Sequence, residues 1–127
     1  MAKIVLSIIE SPTFPRLSAM FARLGVQEIQ LGSTRKAMQA LKKYRPDFIF
    51  AEFFYGYGNN YAGVNVSNLD VLLSSLPKYS PATKTVVFVQ QHEQQYISKL
   101  HALYPLHGAF LHNTPEHILE QLFADDG

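Results

Sequence analysis

The sequence predicts an α/β fold, a doubly wound sheet of five parallel strands in the order 2-1-3-4-5 between two layers of helix. Three observations lead there. Five short apolar runs alternate with five stretches of helical periodicity, the pattern of repeated βα units. The runs are near-continuously apolar, as strands covered on both faces must be. A chain of 127 residues is the length of one domain, 1–127, and right-handed crossovers within it favour winding outward from a central strand.

The elements follow in order. KIVLSII (3–9) is the first strand. The helix after it places Phe14, Leu17, Met20, Phe21 and Leu24 on one face, with Pro15 in its first turn and Gly25 as its stop. EIQL (28–31) is a short second strand. Thr34 is placed to cap the second helix, which turns Ala37, Met38, Leu41 and Tyr44 inward. DFIFA (47–51) is the third strand, and FFYGYGNNYAGVNVS (53–67) the loop beyond it. The third helix is expected from Asn68, burying Leu69, Leu72, Leu73 and Leu76 before Pro77. KTVVFV (84–89) is β-branched and reads as the fourth strand. The fourth helix carries Ile97, Leu100, Leu103 and Tyr104 and stops at Pro105. GAFLH (108–112) is the fifth strand. The last helix opens with Thr114 as cap and Pro115 at its first position, burying Ile118, Leu119, Leu122 and Phe123.

Composition removes several classes of function. Nearly half of the chain is hydrophobic and 13% aromatic, enough apolar area for a core. The absence of cysteine excludes disulfide scaffolds, thiol nucleophiles and Cys-based zinc sites. The apolar N-terminal run is too short for a membrane span and lacks a cleavage site, so a cytoplasmic protein without membrane contact is expected. The net charge of +1 offers little for nucleic acid. The basic residues concentrate only at Arg35, Lys36, Lys42, Lys43 and Arg45, on one amphipathic helix, where a solvated face is the ordinary reading. The five histidines (His92, His101, His107, His112 and His117) show no HExxH or paired spacing. There is also no GxGxxG, P-loop or GxSxG. The chain is not expected to be an enzyme.

In a doubly wound sheet, function gathers at the carboxyl ends of strands one, three and four. The residues there are Glu10, Glu52 and Gln90. The segments LSIIES, RPDFIFAEF, VVFVQQ and GAFLHNTPEHIL, with the lengths between them, make the whole chain resemble the receiver domain of bacterial response regulators, the CheY-like branch of flavodoxin-like folds. The resemblance implies a site built from two acidic residues after strand one, an Asp phospho-acceptor after strand three, a hydroxyl after strand four and a Lys after strand five. Those positions fall here on Ile9 and Glu10, on Glu52, on Gln90, and on His112 or Asn113. None of these is the usual receiver residue, although Glu10 is still acidic.

The resemblance therefore implies a pseudo-receiver: an interaction module that acts without phosphorylation, has no cofactor and binds a protein partner in bacterial signalling. A homodimer, a stand-alone adaptor and an excised piece of a longer protein all fit. Alternatives are a receiver that still binds Mg²⁺ or accepts a phosphoryl group at Glu10 and Glu52, and a small-ligand sensor lidded by the loop. A further reading has Glu52 imitating a phosphorylated Asp, although no lysine stands ready to hold it. The loop is about eight residues longer than the receiver pattern and presents Tyr55, Tyr57 and Tyr61 among Gly and Asn, a composition suited to partner contact. Tyr96, Tyr104 and Phe110 are further contact candidates, with core burial the competing role for Phe110.

Overall fold

The structure, a computed structural model, describes residues 3–55 and 67–124. Its elements are β1 (Ile4–Ile8), α1 (Ser18–Arg23), β2 (Gln27–Leu31), α2 (Thr34–Tyr44), β3 (Phe48–Glu52), α3 (Asp70–Tyr79), β4 (Lys84–Val89), a 3-10 segment (Gln91–Tyr96), α4 (Ile97–Leu103), β5 (Gly108–Leu111) and α5 (Glu116–Ala124). The five strands are all parallel and stand in the order β2-β1-β3-β4-β5.

Strand periodicity divides the core in two. Leu6 and Ile8, Ile49 and Ala51, and Val87 and Val89 pack with Leu41, Leu72, Leu73 and Leu100 of α2, α3 and α4. The intervening Val5, Phe48, Phe50, Val86 and Phe88 pack with Met20 and Phe21 of α1 and Leu119 of α5. The second layer is aromatic. Phe21 and Phe50 meet edge to face at 5.4 Å, as do Phe14 and Phe88 at 5.6 Å. Both layers are needed because every residue of β3 is buried.

Several boundaries differ from expectation. The first helix begins at Ser18, leaving Pro15 outside it. The chain from 11 to 14 is bound to the end of β3, and Pro15 biases Phe14 away from helical geometry. Ser33, not Thr34, caps α2: its hydroxyl accepts from the backbone N of Lys36 at 3.2 Å. Asn68 lies outside α3, which continues through Pro77 to Tyr79. A proline in the last turn removes only one helical bond. A 3-10 segment precedes α4. β5 ends at Leu111, short of His112. The Thr114 hydroxyl donates to the carbonyl of Leu111 at 2.7 Å instead of accepting from the helix. Leu24, Leu103 and Ile118, expected inside, are exposed, Leu103 at 53%.

Candidate functional site

Phe48 and Phe50 face the α1/α5 layer, so Glu52, two residues further, leaves the end of β3 on that side. Its side chain is 0% exposed. Burial of an ionised carboxylate is tolerable only if donors replace water, and four converge on it. The backbone N of Glu10 donates to Oε1 at 3.2 Å. The Ser11 hydroxyl donates to Oε2 at 2.6 Å and that of Thr13 at 3.1 Å. His112 Nε2 stands 3.1 Å from the same oxygen.

These donors come from the β1–α1 loop and the residue after β5, so one carboxylate ties together the ends of β1, β3 and β5. The two hydroxyls are themselves 2.7 Å apart, which gives two protons for three short oxygen contacts. His112 is 14% exposed, and its Nδ1 is buried without a partner. A ring proton on Nε2, facing Glu52, fits this environment: Nδ1 then carries a lone pair, which costs less to bury unpaired than an N–H.

Asn68 braces the site from behind. Its Nδ2 donates to Glu10 Oε1 at 2.8 Å and to the Glu52 carbonyl at 2.9 Å, and its Oδ1 accepts from the backbone N of Phe54 at 2.8 Å. Glu10 and Glu52 are thus drawn together. Burial, opposed by the Asn68 bond and aided by the charge of Glu52, raises the Glu10 pKa above its ordinary value.

The other expected positions are dispersed. Ile9 is half-buried against the α1/α5 layer. Gln90 precedes the 3-10 segment, accepts from the backbone N of Glu93 at 2.9 Å, and borders a 280 Å³ pocket with Thr13, His112 and Asn113. Of the two residues that could occupy the lysine position, His112 reaches Glu52, whereas Asn113 is exposed at the pocket rim. No lysine stands at the end of strand five, as the sequence implied, and His112 makes the contact with Glu52 there. Among the described residues, no cluster of three His, Cys, Asp or Glu could hold a metal ion.

Tyr57 and Tyr61 lie outside the described residues. Tyr55 stacks on Tyr96, with ring centroids 3.8 Å apart and planes within 8°. Its backbone N donates to Glu93 Oε2 at 3.1 Å, and Lys99 Nζ sits 5.4 and 5.7 Å from the two ring centroids. Two of the contact candidates thus stack on each other, and Tyr55 stays exposed. Tyr104 is half-buried against the α2/α3/α4 layer, and burial together with the charge of Asp70 raises its pKa. Phe110 is half-buried against the opposite layer, tilted over Phe88 at 6.3 Å.

Sequence reasoning missed Ser11, Thr13 and Asn68, which complete the site. Hydroxyl and amide residues in loops leave no periodic trace. A signal did exist for the chain around Asn68. Ser67-Asn68-Leu69-Asp70 has capping-box spacing, and the backbone N of Ser67 donates to Asp70 Oδ1 at 2.6 Å while Ser67 Oγ accepts from the backbone N of Leu69 at 3.0 Å.

No protein-family profile and no curated protein matches the chain. Solved structures do. A response regulator from Thermotoga maritima superposes with a TM-score of 0.73 at 16% identity, covering 98% of this chain and 97% of that one. A response regulator receiver protein from Burkholderia phymatum gives 0.72 at 10% identity, covering 96% and 92%. A structure described as a streptococcal redox sensor evolved from two-component response regulators gives 0.70 at 13% identity, covering 97% of this chain and 50% of that one. The chain has the CheY-like receiver fold.

Proposed function

We propose that this protein is a pseudo-receiver: a module of bacterial two-component signalling that binds a protein partner and works without phosphoryl transfer. The observation that carries the reading is the state of Glu52. A phospho-acceptor must offer a carboxylate oxygen in line with the incoming phosphorus, with positive charge placed to neutralise the transferred group. Glu52 is buried, and both of its oxygens accept hydrogen bonds from its own chain. The extra methylene of Glu over Asp brings the carboxylate to the hydroxyls of the β1–α1 loop and to His112, the groups that a transferred phosphoryl group would otherwise approach. The buried Glu52 carboxylate acts as an internal acceptor that fixes one conformation of these loops, which the partner reads as shape.

The test is incubation with Mg²⁺ and acetyl phosphate or beryllofluoride, followed by intact mass and amide NMR. The expected result is unchanged mass and no shifts at Glu52, Gln90 or His112. Phosphoryl addition, or saturable beryllofluoride shifts at these residues, would overturn the reading. Mg²⁺ alone is the control. Shifts confined to Glu10 and Glu52 would favour the alternative of a receiver that still binds the metal.

A further inference from the structure

The charge of this protein is segregated. Arg35, Lys36, Lys42 and Lys43 recur at seven-residue spacing along α2 and are all exposed, and no acidic residue lies between Thr34 and Tyr44. α3 extends the patch. Lys42 of α2 and Lys78 of α3 stand over the same Tyr79 ring, at 5.1 and 5.3 Å from its centroid. Arg45 and Lys78 border one surface depression of about 440 Å³. None of these six cations forms an ion pair with a described residue. Acids elsewhere are engaged: Glu52 in the buried site, Glu93 with the backbone of Tyr55, Glu116 and Glu120 with Arg23. The one acid beside the depression, Asp47, accepts from the backbone N of Ile4 at 2.8 Å.

Solvation alone accounts for part of this. Lys42, Lys43 and Lys78 lie in last turns, where the helix dipole favours cations. Arg35 and Lys36 do not fit that explanation. They occupy the first turn of α2, where the dipole disfavours positive charge, and that turn holds no acid to offset them.

We infer that the α2/α3 face is a docking surface for an acidic protein segment. Charge complementarity selects an anionic occupant. A protein segment suits the dimensions: α2 spans about 16 Å, the reach of roughly five extended residues. Nucleic acid suits it less, because lysine ammonium groups already cover the Tyr79 ring and, through Lys43 at 5.2 Å, that of Tyr44. Base stacking would need those faces open. A net charge of +1 also gives no long-range field for a polyanion. The inference names partner chemistry for the proposed interaction module, and its failure would leave the phosphodonor result untouched.

The experiment titrates the full chain with a deca-glutamate peptide at about 0.15 M ionic strength, where weak surface attraction is screened. Amide NMR reads the response. Saturable shifts confined to α2 and the end of α3 are expected. The combined variant Arg35→Gln, Lys36→Gln, Lys42→Gln, Lys78→Gln is expected to weaken binding about tenfold or more. Arg16→Gln, on another face, is expected to leave it unchanged, and circular dichroism to show all variants folded. No binding at this ionic strength, or equal loss in the Arg16 variant, would overturn the inference. So would binding of a short DNA duplex or phosphatidylserine vesicles in place of the peptide, which would assign the face to another class of partner.

Discussion

Glu52 is an acceptor on which chain segments far apart in sequence depend, and its removal would strand all of their donors at once. Glu52→Ala is expected to cost about 3 kcal/mol, because donors left buried without their acceptor lose about 1–3 kcal/mol each. Urea denaturation would read it, and a loss below about 1 kcal/mol would mean that the loops do not rely on this carboxylate. Glu52→Asp restores the usual receiver residue yet shortens the reach to Ser11, Thr13 and His112. It is expected to destabilise the fold and still gain no mass with acetyl phosphate.

Glu10 behaves in the opposite sense. Its pKa is raised on folding, first by burial, so ionising it opposes the fold. Stability tied to Glu10 is full below its ordinary value of 4.5 and is lost as pH rises through the higher folded value. Glu10→Gln is therefore expected to raise Tm at pH 7, with the gain vanishing below about pH 4. A gain that persists in acid would point to a cause other than charge. Ser7 is simpler still. Its hydroxyl is fully buried and has no hydrogen-bond partner among the described residues, so Ser7→Ala is expected to be neutral or stabilising. A clear fall in Tm would show that the hydroxyl has a partner.

Among the elements, strands were the most legible and helix ends the least. Lys84–Val89 is a β-branched run whose neighbours on both faces reinforce its own preference, so sequence and structure agree at both ends. The start of α1 was hidden because Ser11 and Thr13 are committed to Glu52, some forty residues away, which holds the chain out of helical geometry until Ser18. No local pattern encodes such a bond. The resemblance placed His112 at the site, but its bond to Glu52 left no local trace for the same reason: the partner is on another strand. Tyr55 reads as a contact residue from composition, which says nothing about its neighbours; the structure stacks it on Tyr96 and leaves it exposed. The stack on Tyr96 joins the end of β3 to the segment leading into α4. A double-mutant cycle of Tyr55→Ala and Tyr96→Ala is expected to show coupling of about 0.5–1.5 kcal/mol. Additive losses would mean that the rings lie together without holding each other.

At the scale of the whole molecule, the sheet separates two jobs. Its carboxyl edge holds the buried Glu52 network, and its α2/α3 flank holds positive charge that forms no ion pair among the described residues. A near-neutral total conceals this division. The cations on the flank repel one another, and because they are exposed, salt screens them within about 10 Å at 0.1 M. Salt would also weaken favourable pairs, but among the described residues the exposed ones are those of Arg23 with Glu116 and Glu120. The His112–Glu52 contact is buried beyond effective screening. Repulsion is thus the larger of the two screened terms, and added NaCl is expected to stabilise the protein by about 0.5 kcal/mol, or about 2 °C in Tm. The variant carrying Gln at positions 35, 36, 42 and 78 provides the internal control: it should begin with a higher Tm at low salt and respond little to NaCl. If wild type and variant rise in parallel, salt is acting on the core through water instead of on the flank. A fall in wild-type Tm would show that these cations are paired in solution.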